Sequence, residues 1–332
     1  MQRAVKILKV FGIMAIVIIS IILIGIGYIS WALPNVGDAP AMKIELTPAR
    51  LKRGEYLANN VMVCGSCHGT RNWNQFGAPL EPGTFGAGGN KFTQDSLGFF
   101  DEMYFPNITP AALANWTDGE IFRVITTGVR KDGKAVNSIM PYHQFGQIDA
   151  EDVKSVIAFL RTLPPVYNKV PKSNISFPMR IVNKLSTQKA AFQKRPPESD
   201  TIAYGKYLAT AAACAVCHSP FEGLSGVNMD KAFSGGPVFT MQSGRVQPIN
   251  LTPDTETGIG KWSKEDFLNK FKIYRDSSVI HKKIDAKKEF NSLMAWPMYA
   301  HMTDEDLAAI YKYLRSIKPM KNKVVRFLPN NF

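Results

Sequence analysis

Cys64-Gly65-Ser66-Cys67-His68 and Cys214-Ala215-Val216-Cys217-His218 are two copies of one pattern, C-x-x-C-H. Two thiols three positions apart on a tight turn can each form a thioether to one vinyl group of a single porphyrin. The next residue, His, then lies under the ring, where an imidazole nitrogen can ligate iron. The chain has four cysteines and five histidines, and the motifs take every cysteine and two of the histidines. The rival readings are a Cys–His zinc site and a thioredoxin-like dithiol. A zinc site would need two more ligands per motif at finger-like spacing, and the sequence offers none. The pattern therefore predicts two c-type haems, attached through Cys64, Cys67, Cys214 and Cys217, with His68 and His218 as axial ligands.

The sequence around the motifs repeats as well, at a period of about 150 residues. Gly54-Glu55-Tyr56-Leu57 leads into the first motif, and Gly205-Lys206-Tyr207-Leu208 leads into the second, one residue closer. Asn107-Ile108-Thr109-Pro110 recurs as Asn250-Leu251-Thr252-Pro253, Trp116-Thr117 as Trp262-Ser263, and Ser138-Ile139-Met140 as Ser292-Leu293-Met294. From these methionines the halves align without a gap to Leu160-Arg161 and Leu314-Arg315. Each copy reads as helical. A first helix is expected over Pro48–Val61 and Thr201–Ala213, and a second from Thr117 or Ser263, where Thr117 with Glu120 forms a capping box. In the third, Val153, Val156, Ile157 and Leu160 fall at i, i+3, i+4 and i+7, as do Leu307, Ile310, Tyr311 and Leu314. Asp149 and Thr303 suit the N-caps of these helices, and Pro164 and Pro319 follow their ends. The fold class is all-α, with two tandem domains, 34–164 and 201–332, after an N-terminal segment 1–33. The glycine-rich stretch 83–89 has no following Lys-Ser/Thr and reads as a loop over a haem edge rather than a phosphate cradle. Residues 165–200, rich in proline and basic residues, read as an extended tether packed across both domains.

With His on one side of each iron, the other side decides the chemistry. Met140 and Met294 occupy equivalent places just before the last helix of each copy, and a thioether there gives six-coordinate, electron-transfer iron. His143 is an alternative to Met140, and Met298 and Met302 lie close enough to compete with Met294.

Val10 to Leu33 is 24 residues without a charge, preceded by Arg3, Lys6 and Lys9. That is long enough to span a bilayer, and the flanking charges place the N-terminus in the cytoplasm. A cleaved signal peptide is the alternative, but its apolar region would be shorter. An uncleaved anchor puts the rest of the chain on the periplasmic side of the inner membrane, as a single-pass protein. The net charge is +13 and uneven: residues 34–164 carry −1, the tether +5 and residues 201–332 +6. This suits docking to an acidic redox partner or to anionic headgroups. No recognition motif accompanies the charge to suggest nucleic acid.

The two motifs, the Pro106-Asn107-Ile108-Thr109-Pro110 stretch, Met140-Pro141-Tyr142 and Met294-Ala295-Trp296-Pro297 together resemble the class I cytochrome c fold, duplicated. The chain is most similar to bacterial di-haem cytochromes c related to the cytochrome subunits of membrane-bound alcohol and aldehyde dehydrogenases. The resemblance covers residues 48–164 and 201–320. It implies that Met140 and Met294 are axial ligands, with Ala295 replacing the usual proline. It implies that Asn107, Trp116, Asn250 and Trp262 lie near the haem propionates. Such subunits commonly carry three haem motifs, and this chain has two. The expected function is electron relay through two His/Met haems, between a membrane dehydrogenase or respiratory complex and an acceptor cytochrome or oxidase. The partners are redox proteins, and the chain is a candidate subunit of a larger oxidoreductase complex. The competing reading is a di-haem redox enzyme, peroxidase-like or thiosulfate-oxidising. The lysines 282, 283, 287 and 288 are expected to flank the second haem edge and steer an acidic partner.

Overall fold

The computed structural model describes residues 2–92, 102–222 and 226–330. It begins with one long apolar helix, α1 (Gln2–Ala32), which is long and apolar enough over Val5–Ala32 to cross a membrane. A signal sequence would meet the same criterion. The side chains of α1 pack on little of the protein: Leu8 is 76% and Ile24 72% exposed.

The two halves then repeat one arrangement. In the first, α2 (Pro48–Tyr56) leads to the motif helix α3 (Cys64–His68), followed by α4 (Asp118–Thr127), the short α5 (Tyr142–Phe145) and α6 (Ala150–Thr162). A further helix, α7 (Phe177–Ser186), lies in the connecting segment. The second half has α8 (Thr201–Ala211), α9 (Cys214–His218), α10 (Lys264–Lys272), α11 (Trp296–Tyr299) and α12 (Asp304–Ser316). The helix starts follow from local chemistry. Thr117 and Ser263 both make reciprocal capping boxes, with Glu120 and Asp266, which satisfy backbone N–H groups that have no intrahelical partner. Asp149 and Thr303 cap α6 and α12 through their side chains.

Each half is built on one crossing. α2 packs on α6, and α8 on α12. A Cβ on Gly54 would stand 1.8 Å from the Ser155 carbonyl oxygen, and one on Gly205 would stand 2.0 Å from that of Ala309. Only glycine permits so close a backbone approach. The apolar stripe predicted for the third helix is the core: Val153, Val156, Ile157, Leu307 and Leu314 are all at most 1% exposed.

The one-residue length difference before the motifs has a structural answer. In the first half, Leu57–Val61 is a π-turn, in which the Met62 N–H reaches back five residues to the Leu57 carbonyl at 2.7 Å. In the second, the Ala212 N–H reaches back four, to Leu208, at 2.8 Å. A π-turn absorbs one inserted residue without breaking the helix.

Two expectations need correction. The fold is mainly helical but carries small sheets. β1 (Lys91–Phe92) pairs with β2 (Met103–Tyr104), and β3 (Phe239–Met241), β4 (Gly244–Val246) and β5 (Phe327–Pro329) form a second antiparallel sheet. The tether is not extended throughout, because α7 interrupts it. Pro178 stands in the first turn of α7, where its missing N–H costs nothing and its fixed φ favours the helix.

The halves meet face to face in a reciprocal way. The Tyr56 hydroxyl donates to Asp306 at 2.5 Å and accepts from the Thr303 N–H at 3.1 Å. The Tyr207 hydroxyl donates to Asp152 at 2.7 Å and accepts from the Asp149 N–H at 3.1 Å. Tyr56 matches Tyr207 in the sequence repeat, Asp152 matches Asp306 and Asp149 matches Thr303. The first helix of each half therefore closes the cap of the other's last helix, as in an isologous dimer.

Candidate haem sites

Each motif begins from a left-handed residue, Val63 at φ 45° and Ala213 at φ 52°. This conformation is uncommon for a residue with a side chain, and it recurs at equivalent positions. It turns the chain abruptly from α2 or α8 into the motif helix. Cys217 is exposed, and Cys64, Cys67 and Cys214 are half-buried. Desolvation nonetheless pushes the thiols of the bare polypeptide up, to about 12 for Cys64 and Cys214 and about 11 for Cys67 and Cys217, with Arg71 pulling Cys67 the other way. Such thiols are neutral near pH 7, unlike those of a reactive dithiol. Among the described residues no cluster of three His, Cys, Asp or Glu forms a metal-holding group.

The histidines are oriented alike. His68 Nδ1 bonds to the Pro106 carbonyl at 2.8 Å, and His218 Nδ1 to the Ile249 carbonyl at 2.9 Å. A carbonyl only accepts, so Nδ1 carries the proton and the Nε2 lone pair is left for a metal. Burial lowers the affinity of both rings for a second proton, which favours the neutral, ligating form. The accepting carbonyls belong to the turns that Asn107 and Asn250 organise. Asn107 Oδ1 accepts from the Thr109 N–H and hydroxyl, and its amide donates to the Val166 carbonyl at 2.6 Å. Asn250 does the same with Thr252 and with the Met320 carbonyl at 2.7 Å. Both asparagines thus work on the histidine side, fastening the turn to the chain that follows the last helix. The glycine-rich loop folds back onto the motif here. Gly88 N–H donates to the His68 carbonyl at 2.9 Å, matched by Gly235 on His218.

Trp116 and Trp262 line the core of their halves. Each has a lysine ammonium over its ring, Lys131 at 5.5 Å and Lys270 at 5.4 Å. Met140 and Met294 also pack against the core. The residues after them, Pro141 and Ala295, have nearly the same backbone, φ −79° with ψ 51° and φ −79° with ψ 55°. Alanine therefore reproduces the proline geometry of the strap. Among the competitors, His143 bonds through Nε2 to the Ser186 carbonyl at 2.5 Å, and Met302 is a core residue at 2% exposure.

Sequence reasoning did not single out Arg71 or Tyr299. Arg71 is 7% exposed and stacks on Trp73 at 4.6 Å. It donates to the Ala78 and Gly77 carbonyls of its own loop and to the Ser292, Leu293 and Met294 carbonyls of the other half, at 2.8–3.4 Å. Asn291 adds bonds to Trp73, Gln75 and Gly77. The basic insert belongs to this seam: the Lys282 carbonyl accepts from the Phe76 N–H, and the Ile284 N–H donates to Asn74. Tyr299 donates to the Ala212 carbonyl at 2.9 Å. Burial holds its hydroxyl well above the ordinary tyrosine value, with Cys214, Cys217 and Cys67 adding to the shift. No local pattern marks these roles, because their partners lie more than 200 residues away for Arg71.

Residues 202–318 match the family model for cytochrome c, a domain type that carries covalently bound haem c. The chain is also related to cytochrome subunits of dehydrogenases. It is 28% identical over 302 residues to the cytochrome c subunit of a quinone alcohol dehydrogenase from Gluconacetobacter polyoxogenes, covering 86% of this chain and 59% of that one. It is 29% identical over 294 residues to the cytochrome subunit of fructose dehydrogenase from Gluconobacter japonicus, covering 83% and 55%. A diheme cytochrome c-type protein from Cereibacter sphaeroides is 26% identical over 199 residues, covering 57% and 63%. The chain spans less than two thirds of the length of these relatives.

Proposed function

We propose that this chain is a membrane-anchored di-haem cytochrome c, with an anchor at 1–33, cytochrome c domains at 34–164 and 201–332, and a connecting segment at 165–200. It passes electrons between a membrane-associated dehydrogenase and an acceptor cytochrome or oxidase, as a subunit of such a complex, on the periplasmic face of the inner membrane. One observation carries the reading: the full geometry occurs twice. Left-handed entry, a histidine locked through Nδ1 and a methionine strap with matching backbone recur in both halves.

The donor set fits two haems c. Cys64 and Cys67, and Cys214 and Cys217, would hold each ring by thioethers, with His68 and Met140, and His218 and Met294, as axial pairs. When bound, each haem supplies one-electron chemistry between ferric and ferrous iron. The protein's part is to keep both ligands in place in both oxidation states, so that little reorganises. His68 and His218 are held by a carbonyl, Met140 and Met294 by straps whose next N–H two residues on bonds back to the methionine carbonyl, at 2.7 and 2.8 Å. The thioether ligand and the apolar packing favour the reduced state.

A redox titration of the purified protein, followed optically and normalised to haem content, tests this. The expected result is two low-spin haems per chain, each with the red methionine-to-iron band, and two midpoints. One haem per chain, or a high-spin component without that band, would overturn the relay reading. Met294→Ala should remove half of the red band and lower one midpoint only.

A further inference from the structure

The helix α7 turns an apolar stripe outward. Phe177, Ile181 and Leu185 recur every four residues and so line one side of it. Phe177 is 51% and Leu185 53% exposed, and Ile181 between them is half-buried. The other side is engaged: Asn183, 4% exposed, accepts from the Asn137 amide at 3.3 Å, and the Ser186 carbonyl takes His143 Nε2. A surface helix of a water-soluble domain normally faces its apolar stripe inward.

The location of α7 says what covers the stripe. Lys184 Nζ donates to the Ser30 carbonyl at 2.7 Å, in the last turn of α1. That turn carries Tyr28, 64% exposed, and Trp31, 87% exposed, the residue types that mark a membrane–water boundary. The outward stripe therefore begins at the level where α1 ends. Arg180, Lys184 and Lys189 accompany it, in a segment of net charge +5, complementary to anionic headgroups.

We propose that α7 is an interfacial helix, with Phe177, Ile181 and Leu185 set into the headgroup and upper acyl region and Arg180 and Lys184 at lipid phosphates. This rests on the reading of α1 as a membrane span. Because the inner face of α7 holds Asn137 and His143, on either side of Met140, the proposal fixes the first candidate haem site against the bilayer. The first site then sits within reach of membrane-embedded partners, and the second lies farther along the chain.

The test uses the full-length, haem-loaded protein in vesicles of phosphatidylcholine and phosphatidylglycerol. Thioethers occupy all native cysteines, so an introduced cysteine is the single free thiol. A nitroxide is placed at Leu185→Cys, at Trp31→Cys to report on the anchor, and at Tyr167→Cys, where the native residue is 89% exposed. Relaxation by a water-soluble nickel chelate and by oxygen gives depth. The expected result is several-fold weaker relaxation by the chelate at 185 than at 167, with stronger relaxation by oxygen. Chelate relaxation at 185 equal to that at 167, with 31 shielded, overturns the interfacial helix and leaves the anchor standing. Exposure at 31 overturns the anchor and this proposal with it. Label–label broadening at 185 assigns the stripe to a second copy of the chain and also overturns it.

Discussion

The two methionine straps share one backbone but are held by different parts of the molecule. Around Met140, support is local: Asn137 reaches Asn183 of α7, and His143 reaches Ser186. Around Met294, support comes from the opposite half, through the Arg71 guanidinium and the pairing of 74–76 with 282–284. Duplication kept the geometry that chemistry demands and left the bracing free to diverge. The second site is consequently a composite of both halves, and the first is completed by its own half and the connecting helix.

Arg71→Met should show this most clearly. Five carbonyls, two of them buried and three half-buried, lose a charged donor, a cost of about 3 kcal/mol. In the oxidised protein the red band should fall by half, with the loss assigned to the second haem by comparison with Met294→Ala. Equal loss at both haems would break the contrast between the straps.

The next effect separates the two matched aspartates. Asp152 pairs with Arg53 at 2.7 Å and Arg195 at 3.3 Å, so Asp152→Asn should cost about 3 kcal/mol in denaturant unfolding. Asp306 accepts from the Tyr56 hydroxyl at 2.5 Å, and burial raises its carboxyl above the ordinary 3.8. A raised carboxyl binds its proton more tightly in the folded state. Its contribution is present at acid pH and is lost as pH climbs from about 4 through the raised value. Asp306→Asn should therefore flatten that decline and cost little at neutral pH. A steep loss at pH 7, like that of the Asp152 variant, would show the two sites to be equivalent.

Tyr56→Phe and Tyr207→Phe each remove a bond to a carboxylate and should cost about 1.5–2 kcal/mol apiece. Near-equal values, read from urea midpoints, would confirm that the face between the halves is reciprocal. The smallest effect is kinetic. Changing Lys282, Lys283, Lys287 and Lys288 to glutamate should slow reduction or oxidation by an acidic partner at low salt and fade near physiological ionic strength. An unchanged rate at low salt would reduce the insert to its backbone role in the seam.

The parts of the molecule governed by near neighbours were legible in the sequence. Thr117 with Glu120, the stripes from Val153 and Leu307, and both motifs depend on residues a few positions apart. The connecting helix was missed because its prolines were read as extending the chain, although Pro178 suits a first helical turn and Phe177, Ile181 and Leu185 keep a four-residue spacing. The π-turn left a visible trace, one surplus residue before Cys64, but no local pattern says how a surplus is absorbed. Arg71 and the crossed tyrosines were silent, since their meaning lies in partners from the other half, and Tyr299 was silent because its partner Ala212 lies 87 residues away. Asn107 and Asn250 carry a role the sequence did not reveal: their hydrogen bonds shape the turn whose carbonyl fixes the histidine.

The seam around Arg71 also has a consequence in time. A chain made from its N-terminus presents the 71–80 loop before residues 282–294 emerge. The strap of the second centre then closes on a surface that already exists, while the reverse order is impossible. Maturation of the two centres thus acquires a direction, and a defect in the early loop should surface as a late failure in a part of the protein that carries no lesion.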